Sequence, residues 1–233
     1  VLQKEPLGTA HALIMAKSSI SDFKGDILVL CGDTPLLRIE TLNGLLNEHQ
    51  RNRNIATVLT ACFKNPEGYG RIIRDREGNL LKIVEHKDAD PEERSVDEIN
   101  SGTYVFKTEH LWRALDRIEH ENVQGEYYLT DAIKIFVSEG LKVKALKVDD
   151  SDEVLGVNDR KSLSLVYEVM RMRILFSLME KARLRFKPLE RPIKLVLVLV
   201  AILLPVLTYS RNLVWTDGIS LWKDVTAKSP GNA

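Results

Sequence analysis

The sequence predicts an α/β fold: a mostly parallel, Rossmann-like sheet with helices on both faces, followed by a single transmembrane helix. Two apolar runs bounded by turn residues, Asp26–Cys31 (DILVLC) and Ile55–Phe63 (IATVLTACF), have the pattern of strands covered on both faces. Between them, Leu36–Gln50 repeats its leucines at three- and four-residue spacing, which makes an amphipathic helix. Strand, helix, strand in that order implies parallel strands joined by a right-handed crossover. The third observation is the apolar block 193–210 near the end of the chain.

The other elements follow in order. Gly8 and Thr9 stand immediately before a helical run. Tyr69–Arg74, Leu80–His86 and Ile99–Phe106 are shorter β-like segments, the first two joined across Asp75–Asn79 (DREGN), which has the composition of a hairpin turn. Thr108–Glu119 and Tyr128–Glu139 are expected as helices, Lys142–Val148 as a strand, and Asp159–Leu184 as a long helix rich in Arg, Met and Leu.

The 233 residues give room for one sizeable domain and an appendage. Basic and acidic residues balance at 33 each, so there is no long-range field to draw in nucleic acid, and that class of partner is excluded. Cys31 and Cys62 end apolar runs without metal-ligand or disulfide-framework spacing, and are expected as reduced core residues.

A membrane span needs roughly 17–25 apolar residues, a length that Ile193–Tyr209 reaches if Lys194 snorkels to the headgroups. A buried core helix competes with this. The span is favoured by the missing polar face, by Pro205 and by charged flanks. Lys181, Arg183, Arg185, Lys187, Arg191 and Lys194 precede the block and only Arg211 follows closely. The positive-inside bias therefore keeps the N-terminal part cytoplasmic and sends the tail outside, with membrane lipid as a partner of 193–210. The expected organisation is a domain over 1–174, a basic linker helix over 175–192, the span over 193–210, and the start of a helical region over 211–233.

Chemistry concentrates in two segments. In DILVLCGDTP (Asp26–Pro35) an apolar strand ending in Gly-Asp brings Asp33 to the edge of the sheet where open α/β folds bind ligands. Asp33 there is either an oxygen ligand for Mg²⁺ or the initiator of the Thr34-Pro35 turn. In LQKEPLGTAHA (Leu2–Ala12) the backbone N–H groups near Gly8 and Thr9 either meet an anion or a base edge, or simply open an ordinary helix.

The succession LQKEPLGTAHA, LVLCGDTPLL, EGYGRIIRD, IVEHKDA, INSGTYVF, QGEYYLTDAI and LGVNDRKSL resembles, in order and spacing, the uridyltransferase domain of bacterial N-acetylglucosamine-1-phosphate uridyltransferase, over about Val1 to Ile174. The resemblance implies that Gln3, Gly8 and Thr9 hold uracil, that Asp33 and Asn158 bind a catalytic Mg²⁺, and that Gly70, Glu85 and Asn100 surround the N-acetylglucosamine moiety. It implies a nucleotidyltransferase whose substrates are UTP and N-acetylglucosamine-1-phosphate, joined by in-line attack on the α-phosphorus. Such a reaction needs positioning and charge neutralisation, not a protein nucleophile. His11, His49, His86, His110 and His120 are expected to be structural or solvated.

Departures from the family accompany the match. Its members begin with a strand and a glycine-rich basic loop, L-A-A-G-x-G-T-x-M, so the sheet is expected to lack its first strand and the chain as given to be inactive. Cys31 stands where the family has an aromatic residue. No hexapeptide repeat follows; RNLVWTDGISLWKDVTAKSPGNA instead resembles the start of the soluble region in membrane-anchored tetratricopeptide-repeat proteins. Trp215 and Trp222 share a helical face suited to packing or to the membrane interface. Two functions stand at this point: a membrane-tethered, Mg²⁺-dependent uridyltransferase, and a membrane-anchored interaction protein fused to a non-catalytic transferase remnant.

Overall fold

A computed structural model describes residues 1–186, 199–200 and 202–204. The sheet is organised around its longest strand, β5 (Glu98–Lys107). β5 pairs along one edge with β2 (Ala56–Cys62), antiparallel from Ala56↔Phe106 to Cys62↔Glu98. Its other edge is shared: β1 (Asp26–Val29) pairs with Tyr104–Lys107, and β3 (Arg71–Arg74) meets Ile99. β4 (Leu80–Val84) extends the sheet beyond β3, and β6 (Val143–Lys147) lies parallel to β2.

The sheet is therefore mixed, and the expected mostly parallel arrangement is corrected. Among the described residues, β2 with β6 is the only parallel strand pairing. β1 and β2 do run the same way, as the crossover through α2 (Ile39–Arg51) requires, but they flank β5 instead of touching. β2 ends and β5 begins at the same rim, since Cys62 faces Glu98, so β5 has to run back antiparallel. A central strand is apolar on both faces whatever its direction, so INSGTYVF carried no sign of this.

Helices cover both faces. α1 (Thr9–Lys17), α4 (Thr108–Leu115) and α5 (Thr130–Ser138) pack Ala10, Leu111, Leu115, Ile133 and Phe136 against Ala56, Val58, Tyr104 and Phe106. On the opposite face, Leu45 of α2 and Val154 of the short turn Ser151–Val154 pack on Leu59, Ala61, Ile99 and Val105. Successive residues of β2 and β5 thus serve the two layers alternately. His49 of α2 is fully buried, its Nδ1 2.9 Å from Thr57 Oγ1 and its Nε2 3.4 Å from Asp26 Oδ1, in keeping with a structural role. Cys62 departs from expectation: as the last residue of β2 it is exposed, while Cys31 is half-buried, and both thiols are free. A capped turn of helix, α3 (Pro91–Arg94), escaped the periodicity because four residues show none. Asp90 and Glu93 form its capping box, each side chain reaching the other's backbone N–H.

The chain divides into two units, Val1–Arg171 and Met172–Ala233. The long helix α6 (Arg160–Phe186) begins in the first, and the described part of the second is helical. Among the described residues no helix is long and apolar enough to cross a membrane. The expected span over 193–210 lies largely outside those residues, and the region 211–233 wholly so.

Candidate active site

Three corners, each built from sequence-distant residues, follow one another along one margin of the sheet. In the first, Asp33 leaves β1 through an exposed loop, and its carbonyl accepts from Val157 N at 2.8 Å, bringing strands of sequence far apart into contact. Gly156 sits between them. A Cβ placed there would lie 3.5 Å from Asn158 Nδ2, 3.6 Å from the Tyr69 hydroxyl and 3.7 Å from Asp33 Oδ2. The three polar atoms thus converge around Gly156 at ordinary contact distance. Ser162 Oγ accepts from the N–H groups of Asn158 and Asp159, both at 3.0 Å, and fixes the Asn158 backbone at the start of α6.

The second corner adjoins the first through Tyr69–Gly70. The Tyr69 hydroxyl accepts from Gly156 N at 3.1 Å. At the next residue, a Cβ on Gly70 would stand 3.3 Å from Glu85 Oε2 and 3.5 Å from Asn100 Cβ. Asn100 is held from both ends: its N–H donates to Gly70 O (2.9 Å), its Nδ2 to the Tyr104 hydroxyl (2.7 Å), and its Oδ1 accepts from Gly102 N (3.1 Å). Thr130 Oγ1, at the start of α5, donates to Glu85 Oε1 at 3.1 Å. Burial raises the Glu85 pKa against the lowering effect of the Thr130 bond, and Asp88, Asp131 and Glu126 push the same way as burial.

Cys31 bridges these corners from beneath. Its Sγ donates to Gly102 O at 3.4 Å. Gly102 has φ +75°, and a Cβ there would meet Sγ at 2.5 Å, so the bulge in β5 needs glycine. Burial, then Asp33 and Glu85, hold the Cys31 thiol protonated by raising its pKa.

The third corner is the helix entry. Gly8, at φ 109°, lies so close to Tyr127 that a Cβ would stand 2.5 Å from its carbonyl oxygen. Gln3 Nε2 donates to Gly8 O (3.2 Å) and lies 2.9 Å from His11 Nδ1, while Thr9 Oγ1 accepts from Leu129 N at 3.0 Å. The segment Tyr127–Thr130 links this corner to Glu85, since Tyr127 holds Ala10 and Thr130 holds the carboxylate.

Every site residue expected from sequence thus falls in one of the three corners. Tyr69, Thr130, Gly156 and Ser162 were missed, although each lies in a block already singled out. Tyr69, Gly156 and Thr130 contribute a bond that ties one corner to the next, and Ser162 holds the Asn158 backbone within its own corner; neither spacing nor residue type announces either. Glu85 and Thr130 also line a cavity of about 590 Å³ between β4, α5 and the segment around Arg117–Asn122. Gln3, Asp33, Gly70, Asn100 and Asn158 do not line it.

The nucleotidyl transferase family model matches residues 1–228. The chain belongs to the nucleotidyl transferase family. It is 53% identical over 174 residues to the bifunctional protein GlmU of Streptococcus mutans, covering 75% of this chain and 38% of that protein. Against the protein of the same name from Acetivibrio thermocellus it is 49% identical over 173 residues, covering 74% and 38%. The chain thus spans well under half the length of these relatives. Among solved structures, a nucleoside-diphosphate-sugar pyrophosphorylase from Vibrio cholerae superposes with a TM-score of 0.54 at 15% identity, over 70% of this chain and 66% of that one. At that identity the likeness speaks for the fold of this nucleotidyltransferase alone.

Proposed function

We propose that this domain transfers UMP from UTP to N-acetylglucosamine-1-phosphate, releasing pyrophosphate and forming UDP-N-acetylglucosamine. The observation that carries this is the meeting of Gly70, Glu85 and Asn100 in one corner and of Asp33 and Asn158 in the next, joined through Tyr69. The relatives named GlmU support the same class of substrate.

Asp33 and Asn158 suit Mg²⁺. Both are exposed, both bring a polar atom to the Gly156 cradle, and a half-turn of the Asn158 amide presents its oxygen there. Two protein ligands, with waters and phosphate oxygens completing the shell, are ordinary for this ion, which is seldom caged by protein alone. Among the described residues no three His, Cys, Asp or Glu side chains converge to form such a cage. Bound there, Mg²⁺ would neutralise phosphate charge as it develops.

The chain's own groups supply position. A phosphate oxygen of the sugar phosphate forms a bond to the α-phosphorus as the bond to the leaving pyrophosphate breaks, so the two substrates must lie in line. Glu85 accepts hydroxyl hydrogens from the sugar, and its bond from Thr130 fixes the carboxylate plane. Asn100, already oriented by Tyr104 and Gly102, offers a remaining lone pair without rearrangement. Gly8 and Thr9 stand at the helix entry beside Gln3, whose amide carries both donor and acceptor for an imide edge.

The test is equilibrium binding and turnover with the full chain. UTP binding should strengthen with Mg²⁺, and Asp33→Asn should remove that dependence while far-ultraviolet dichroism stays unchanged. Pyrophosphate release from UTP and the sugar phosphate reports the reaction in the parent. A parent whose UTP affinity ignores Mg²⁺ would exclude the metal role of Asp33.

A further inference from the structure

Among the described residues, Arg71 is the largest side chain that is almost wholly buried, at 2% exposure. It opens β3, opposite Val84 of β4 and Ile99 of β5, directly after Gly70. Successive side chains on a strand point to opposite faces, so the guanidinium lies behind the wall that Gly70 presents to Glu85. Its three nitrogens reach three segments. Nη1 donates to Tyr69 O, Nη2 lies 3.4 Å from His86 Nδ1, and Nε donates to Arg94 O at the end of α3 at 3.4 Å. His86 Nδ1 can accept only with its proton on Nε2.

This arrangement is costly if packing is its only purpose. Burial disfavours the cation, and Arg94, a second cation, pushes the same way. A buried charge without a counter-ion is the kind of group that an apolar side chain of similar volume replaces at little loss or with gain. What an apolar side chain cannot do is hold two turns at a fixed separation.

We propose that Arg71 is a positioning residue for sugar selection: one guanidinium ties the Tyr69–Gly70 turn to the Glu85–His86 turn, and so sets the gap in which the sugar sits. This rests on the assignment of Gly70, Glu85 and Asn100 to the sugar. Lysine is not equivalent, because a single ammonium lacks the planar fork that reaches both turns at once. The uracil corner depends on Gly8 and Tyr127 and makes no bond to Arg71, so the hold on the base is spared.

The experiment compares dissociation constants of UDP-N-acetylglucosamine and UDP for the full parent chain, Arg71→Met and Arg71→Lys, with thermal midpoints alongside. The parent should bind the sugar nucleotide more tightly than UDP. Arg71→Met should weaken the sugar nucleotide by about tenfold or more, a loss in keeping with misplacement on the ångström scale, and leave UDP within about twofold. Arg71→Lys keeps the charge and the stem, and so serves if the methionine variant does not fold; it should show the same selective loss. Equal weakening of both ligands would mean a general structural role and overturn the proposal. So would unchanged affinities, or a lysine variant indistinguishable from the parent. A parent that binds both ligands alike would remove the sugar assignment itself, and this inference with it.

Discussion

Glu85 gains a proton more readily in the folded chain than in the unfolded one. Burial beside Asp88, Asp131 and Glu126 raises its pKa above 4.5. The sign follows from proton linkage: below pH 4.5 the carboxyl is neutral in both states, and as pH rises past that value the folded state must bear a penalised charge. Glu85 therefore lowers stability at neutral pH relative to acid. Glu85→Gln should raise the thermal midpoint at pH 7 and change it little at pH 4, while losing affinity for UDP-N-acetylglucosamine. A variant less stable than the parent at pH 7 would count against burial as the dominant cause. At this scale the sequence said much about which residues matter and little about what holds them. An Asp at the end of an apolar strand, or a glycine before a helix, is visible as a type in a position. That Thr130 fastens Glu85, or that Tyr69 touches Gly156, depends on contacts across β-strands that one-dimensional spacing does not contain.

Among the elements, the entry to α1 is the most exacting. Gly8 combines φ 109° with backbone atoms of Tyr127 at 2.5 and 2.8 Å from any added Cβ, and backbone cannot swing aside as a side-chain tip can. Gly8→Ala should cost at least about 2 kcal/mol, since left-handed strain alone accounts for roughly 1–3 kcal/mol, and should displace Tyr127–Thr130 along with it. Urea denaturation measures the first effect; weakened UDP binding reports the second. Element positions were legible from the pattern: α2, α5 and the strands were found within a few residues because each buries an apolar face with its own period, while α6, whose described side chains are mostly exposed, was found from its run of Arg, Met and Leu. Strand direction was not, for the rim-to-rim return from Cys62 to Glu98 leaves no mark on composition. Nor was Cys62's exposure, as an apolar run gives no signal of where cover stops.

At the scale of the first unit, Val1–Arg171, both core layers meet on β5. Phe106 is fully buried, with Tyr104 5.3 Å away ring to ring and Phe136 at 6.2 Å. Phe106→Ala should lower unfolding free energy by about 3–5 kcal/mol, a large part of the stability of an ordinary domain. Calorimetry should show an earlier transition, and one less than about 2 kcal/mol smaller would mean that the aromatic layer repacks.

The central place of β5 also governs when the sheet can form. Lys107 Nζ bonds to Asp26 Oδ1 across 81 residues of sequence, and β1 finds its described partner only in β5. On a ribosome, β1 and β2 are made first and stay without that partner until β5 has emerged. Folding of this unit is thus back-loaded, with loop-closure entropy to be overcome before the sheet gains its central pairings. A chain stalled before Glu98 should be protease-sensitive throughout, and one released beyond Lys147 protected.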